Sequence, residues 1–168
     1  MGMSVIISAA TEQDAEQILK LQYLSFQSEA ELYGNYRIDP LTQTLDSMRT
    51  EIATNLVFVA RLGDEIVGSV RGTLEGDGVG EIGRLCVHPR LQGHGLGARL
   101  LGAAEAGLAA ERSATRFRLH TGHRSEGNLR LYRRAGYTPV GNETGGDGVL
   151  MILLEKDAGA PAAYVASA

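Results

Sequence analysis

The sequence has one cysteine, four prolines and no tryptophan among 168 residues, and aromatic residues make up only 5%. The lone cysteine, Cys86, excludes an internal disulfide and offers no spaced thiol pair for a structural metal, which fits a reducing compartment. No apolar run approaches the roughly 18 residues expected of a membrane-spanning helix, and no basic stretch followed by an apolar one opens the chain. A cytoplasmic protein without a membrane partner is therefore expected. The net charge of −4 argues against nucleic acid as the main partner. Glycine, by contrast, is plentiful at 22 residues. With 43% hydrophobic and 21% charged residues, the chain has ordinary globular usage, and its length suits one domain. That domain is expected over residues 1–157, and residues 158–168, Ala-rich and aperiodic, read as a flexible tail.

Ser4 to Ser8 is a short β-branched run that reads as a strand. Thr11 and Asp14 then open a helical pattern through Ile18, Leu21, Leu24 and Phe26. Leu41, Leu45, Met48 and Ile52 predict a second helix after Asp39-Pro40. Val57 to Ala60 and Ile66 to Val70, joined by Gly63-Asp64, predict a hairpin, and Val79 to Val87 a third antiparallel strand. A helix over Ala98 to Ala110 and a strand over Arg116 to His120 follow, so this last strand should lie parallel to Val79–Val87. A fourth helix, Glu126 to Ala135, ends at Gly136, a natural C-terminal cap. Tyr137 to Val140 and Val149 to Leu154 complete the sheet.

The central feature is Gln92-Gly93-His94-Gly95-Leu96-Gly97-Ala98 between a strand and a helix start. Glycines there let the backbone approach a ligand, while unpaired amides and the positive end of the helix favour phosphate oxygens, so a pyrophosphate is the natural guest. Arg84, Arg90 and Arg99 cluster around this run in sequence, and Arg130, Arg133 and Arg134 crowd the later helix, as if to meet an anion. Gly93-x-Gly95-x-x-Ala98 also satisfies a dinucleotide fingerprint, but that motif follows a first strand directly and wants an acidic residue after the next strand. Here several strands precede it and the next strand ends at His120-Thr121. No Gly-Lys-Ser/Thr follows, so a P-loop is excluded.

These residues resemble the GCN5-related N-acetyltransferases (GNAT). Gln92-x-x-Gly95-x-Gly97 matches the family's pyrophosphate motif, Leu85-Cys86-Val87-His88-Pro89 resembles the strand end before it, and Asn128-x-x-x-Tyr132-x-x-x-Gly136-Tyr137 resembles the later helix that contacts coenzyme A. The resemblance is specific from Val79 to Val140. It implies an α/β (α+β) fold: a mixed, mostly antiparallel six- to seven-stranded sheet flanked by about four helices, with splayed strands at the acyl-CoA site. It further implies acetyl-CoA as co-substrate, no metal, and contacts from Leu85, Val87, Gln92, Gly93, His94, Gly95, Gly97, Ala98, Asn128 and Tyr132. Members of the family often form homodimers.

Acetyl transfer to an amine needs a neutral nucleophile, a stabilised oxyanion and a protonated leaving thiolate. By resemblance, the Val87 N–H would receive the thioester oxygen and the Leu85 main chain the pantetheine arm. Tyr132, four residues after Asn128 on one helix face, is the candidate general acid, a phenol of ordinary pKa near 10. Glu81, six residues before Val87, is the first candidate base, at an offset resembling the catalytic glutamate of the histone-acetylating branch. His120 is the second. The acceptor expected is a primary amine of a small molecule, with a protein lysine or N-terminal amine as the alternative. A non-catalytic acyl-CoA sensor is the competing class. The first 55 residues, which shape the acceptor site in the family, carry no acceptor signal.

Overall fold

The computed structural model describes residues 4–159; residues 160–168, most of the expected tail, lie outside them. Seven strands form one sheet: β1 (Val5–Ala9), β2 (Leu56–Leu62), β3 (Glu65–Leu74), β4 (Val79–Val87), β5 (Arg116–Gly122), β6 (Thr138–Thr144) and β7 (Leu150–Asp157). Their order is β1-β2-β3-β4-β5-β7-β6. Every pairing is antiparallel except β4 with β5, the parallel pair that the crossover predicted. The helices are α1 (Ala15–Ser25), α2 (Gln27–Tyr33), α3 (Asp39–Thr42), α4 (Leu45–Thr54), α5 (Leu96–Arg112) and α6 (Glu126–Arg134).

The two early helices expected from the apolar spacing are each broken in two. After α1 the backbone kinks at Phe26, and α2 stops at Gly34, whose left-handed φ of 61° returns its N–H to the carbonyls of Ala30 and Glu31. Gln43 interrupts the second: it is buried, its side chain accepts from Gln22 at 2.8 Å, and its carbonyl accepts from the Tyr23 hydroxyl at 2.6 Å. Thr44 then caps α4 by accepting from the Ser47 N–H at 3.1 Å. Tertiary hydrogen bonds to one glutamine thus outweigh the helical period of Leu41, Leu45, Met48 and Ile52.

The sheet has a core on each face. Leu100, Leu101, Ala104 and Leu108 of α5 pack on Val70, Ile82, Phe117, Leu119 and Leu154. On the other face, Ile18 and Leu21 of α1 and Met48 of α4 cover Val57, Val59, Ile66 and Cys86. Alternation along β2, with Val57 and Val59 to one side and Phe58 and Ala60 to the other, follows the strand's period of two. Gly136 ends α6 with φ of 100°, as its sequence position implied. Among the described residues, no helix is long and apolar enough to cross a membrane.

Candidate active site

The pairing of β4 with β5 runs only from Val79↔Arg116 to Ile82↔Leu119. Past that point β4 stays paired with β3 through Val87↔Gly68, while β5 continues along β7 to Gly122↔Met151. The two middle strands therefore part, and the outer edge of β4 is left facing a gap. The His88 N–H donates inward to the Val67 carbonyl at 2.8 Å. Alternation then turns the main-chain groups of Leu85 and Val87 outward, to the gap. A register shift opposite Ser69–Arg71 accompanies the opening, and Arg84 occupies the bulge with φ of 55°.

A cleft of about 810 Å³ fills the gap and runs to the start of α5. Leu85, Val87, Gln92, Gly93, Gly95, Gly97, Ala98 and Asn128 line it, so most of the residues expected to hold a cofactor converge there. Gly95 is the N-cap of α5 with φ of 79° and provides no capping side chain. The first amides of this 17-residue helix are thus free for a ligand oxygen, and no atom stands within 4 Å of where a Cβ on Gly95 would project. The cleft also takes in Arg124, Arg130 and Arg134, cations suited to phosphate. Arg133 and His94 are not among its lining residues; the His94 Nδ1 lies 3.2 Å from the Gln92 carbonyl, a contact within the loop. These features fit an extended thiol cofactor with a pyrophosphate at one end.

Residues 15–137 match the acetyltransferase (GNAT) family. The chain belongs to that family. As a GNAT acetyltransferase it is an enzyme of acyl transfer, and the family's fold binds acetyl-CoA. Solved structures with the same fold include the PaiA N-acetyltransferase of Thermoplasma acidophilum in complex with coenzyme A, at 17% identity and TM-score 0.75, covering 92% of this chain and 99% of that one. YncA of Salmonella typhimurium, solved with its cofactor acetyl-CoA, is 16% identical with TM-score 0.73, covering 92% and 94%. A GNAT acetyltransferase of Streptococcus pneumoniae is 20% identical with TM-score 0.72, covering 92% and 99%. No curated protein matches the sequence.

Three residues singled out for chemistry in this acetyltransferase do not share one wall. Val87 borders the cleft. Tyr132 is 6% exposed, lies in the α5-side core and meets the Tyr137 ring edge-on at 6.2 Å. Asn128 and Tyr132, expected on one ligand-facing side, are thus separated: Asn128 borders the cleft and donates to the Thr121 hydroxyl at 3.3 Å, while Tyr132 sits beneath it. Burial pushes the Tyr132 phenol above its ordinary range, and the charge of Glu29 adds to the shift. Burial likewise drives the Cys86 thiol up to about 12, so it is a poor nucleophile at neutral pH.

Glu81 projects from β4 on the face opposite α5. Its Oε2 lies 3.1 Å from His120 Nδ1, and His120 Nε2 lies 2.9 Å from Glu143 Oε1 on β6. The Glu81 contact is one of charge and distance, because Oε2 is buried and receives no aligned hydrogen bond. Glu81 chiefly, by contact, raises the His120 pKa; partial burial opposes it, and Glu143 adds to the rise. The two rival bases are therefore direct neighbours in one cluster.

Sequence reasoning missed Glu143, which no motif marks, and the cleft wall from Ser25, Phe26 and Glu29. It missed as well the hydrogen bonds of Ser125 Oγ to Tyr33 at 2.7 Å and Glu29 at 2.9 Å, which tie α2 to the start of α6. The proposed grouping of Arg84 and Arg99 around the glycine run does not occur. Arg99 reaches the Val5 carbonyl at 3.0 Å, and Arg84 lies near Arg71, Glu51 and Asp39 on the opposite side of the sheet from α5.

Proposed function

We propose that the enzyme moves acetyl from acetyl-CoA directly to a primary amine of a small molecule. The observation that carries this reading is the opened edge of β4, which has the glycine loop of α5 at one end; the Glu81–His120–Glu143 cluster lies outside the cleft lining, on the face of β4 opposite α5. Acetyl-CoA supplies an activated thioester.

The outward main chain of Leu85 suits the pantetheine arm, and the Val87 N–H would donate to the carbonyl oxygen as negative charge develops on it. Gln92, Gly93, Gly95, Gly97 and Ala98 would surround the pyrophosphate, and Asn128 would meet the arm from α6. Glu81 with His120 would take the proton of the incoming ammonium, an ordinary amine being mostly protonated at neutral pH. The neutral amine forms the C–N bond as the C–S bond breaks; Tyr132 would give a proton to the departing thiolate, and the second proton lost from the nitrogen restores the phenol by way of solvent. A phenol is protonated at neutral pH, as a donor must be; the burial that raises the Tyr132 pKa makes it a weaker acid than an exposed tyrosine. The inert Cys86 favours direct transfer over an acetyl-cysteine step.

Thiol release from acetyl-CoA across a panel of amines tests the reading. Turnover with small amines is expected; protein that binds acetyl-CoA yet turns over no amine would be a sensor instead.

A further inference from the structure

Arg84 is a half-buried cation that the mechanism does not use. It holds a left-handed φ of 55° at the β4 bulge, a conformation that costs a non-glycine residue about 1–2 kcal/mol. Among the described residues it has no ion-pair partner within 4.0 Å, and its Nε is buried without a hydrogen bond. Burial first, and the charge of Arg71 next, press its pKa down.

The nearest anions do not relieve it. Glu51 is bound to Arg71 at 2.7 Å, and Asp39 lies beyond ion-pair distance. A guanidinium in this setting lacks the partner that buried charges ordinarily have. The Arg71 guanidinium covers Gly83, where a Cβ would stand 3.2 Å from its Nη2. Gly83 is two residues from Glu81 and shares its face, so the backbone that Arg71 covers lies about 7 Å along the strand from that of the candidate base.

We propose that Arg84, backed by Arg71, is an anion subsite for the acceptor, which is a small amino-carboxylate. Its primary amine faces Glu81 and its carboxylate faces the bulge of β4. An arginine fork matches a carboxylate geometrically, and closing that pair would satisfy a cation the protein leaves unmet. The strained backbone is what aims the side chain to this face. The inference rests on the amine-acetylating reading above.

The test compares matched acceptors: an amino acid, the same amine lacking the carboxylate, and the corresponding aminophosphonate. The carboxylated amine should have the highest kcat/KM. Arg84→Asn, whose side chain tolerates the left-handed backbone, should cut the preference for acid over plain amine by about 10- to 100-fold. Arg84→Lys should retain part of it, and carries the comparison if the Asn variant does not fold. An unchanged ratio in the variants, or a wild-type enzyme indifferent to the carboxylate, overturns the subsite; a preference for the phosphonate overturns the carboxylate. A second readout needs no turnover: with coenzyme A present, an N-acetyl amino acid should raise the melting temperature of the wild type more than that of Arg84→Asn. Should no amine be acetylated, the amine-transfer reading fails, while this binding difference still decides the subsite, equal shifts refuting it.

Discussion

Replacing Glu81 by Gln removes the charge of the candidate base with little change of shape. Loss of a general base costs about 10²- to 10⁴-fold in rate. The structure selects the lower end. His120 keeps its contact with Glu143 at 2.9 Å, and the Glu143 side chain is 55% exposed, so a weaker base backed by a solvated carboxylate survives. Glu81→Gln should thus lower kcat/KM by about 10²-fold, near 2.7 kcal/mol of barrier. The pH profile gives a second prediction from the same variant. In the wild type the acidic limb follows His120, whose pKa is raised above its ordinary value mainly by Glu81. Protonated His120 ties up the pair, so activity rises with pH through that raised pKa. Without Glu81 the largest cause of the rise is gone, and the limb moves to lower pH. The double variant with His120→Gln should lose the limb, and its cost should fall short of the product of the single costs, as for residues that act as a unit. The assay is thiol release at saturating acetyl-CoA from pH 5 to 9, within about two units of neutrality where histidine titrates. A Glu81→Gln enzyme with wild-type kcat/KM and an unmoved acidic limb would refute the reasoning and leave water as the proton acceptor.

Tyr132→Phe should lower kcat by about 10²-fold with little change in coenzyme A affinity; unchanged turnover in steady-state assays removes Tyr132 as the acid. Gly95→Ala forces an alanine to φ of 79°, a strain of about 1–2 kcal/mol that should lower the melting temperature by about 2–8 °C. Gly95 lines the cleft, and the strained turn would displace the loop amides, so calorimetry should find weaker coenzyme A binding; wild-type affinity would discount the loop as the pyrophosphate site. Asp14 accepts from Arg61 at 2.6 Å and from the Thr11 N–H at 2.8 Å. Burial pushes its pKa up, but the Arg61 and Thr11 bonds together outweigh burial and hold it below 3.8. Its folded pKa being depressed, its stabilisation is present above the ordinary carboxylate pKa and is lost as pH falls through the folded value. Asp14→Asn should therefore destabilise by about 1–3 kcal/mol at pH 7 in urea titrations, with the gap to wild type closing in acid.

The element order from β1 to β7, the parallel β4–β5 pair and the loop at Gly95 were legible because each has a local cause. Strand alternation, turn glycines and a helix entry are written in neighbouring residues. The breaks at Phe26 and Gln43 were not, since the hydrogen bonds that stabilise the Gln43 break come from Gln22 and Tyr23, some twenty positions away. Glu81 and His120 were each legible as a candidate base, but as rivals. Only the sheet, which sets β4 beside β5 and brings β6 round by way of β7, joins them with Glu143 into one cluster.

By itself the sequence determined the family and marked the glycine loop at the start of α5, because the backbone turn there depends on glycines close in the chain. Tertiary structure alone decided the charged cluster beside β4. Its charges, Glu81, Arg84, Arg71, His120 and Glu143, are drawn from four strands. Whether a carboxylate or a guanidinium is paired, buried or free depends on what the fold sets against it, not on its neighbours in sequence.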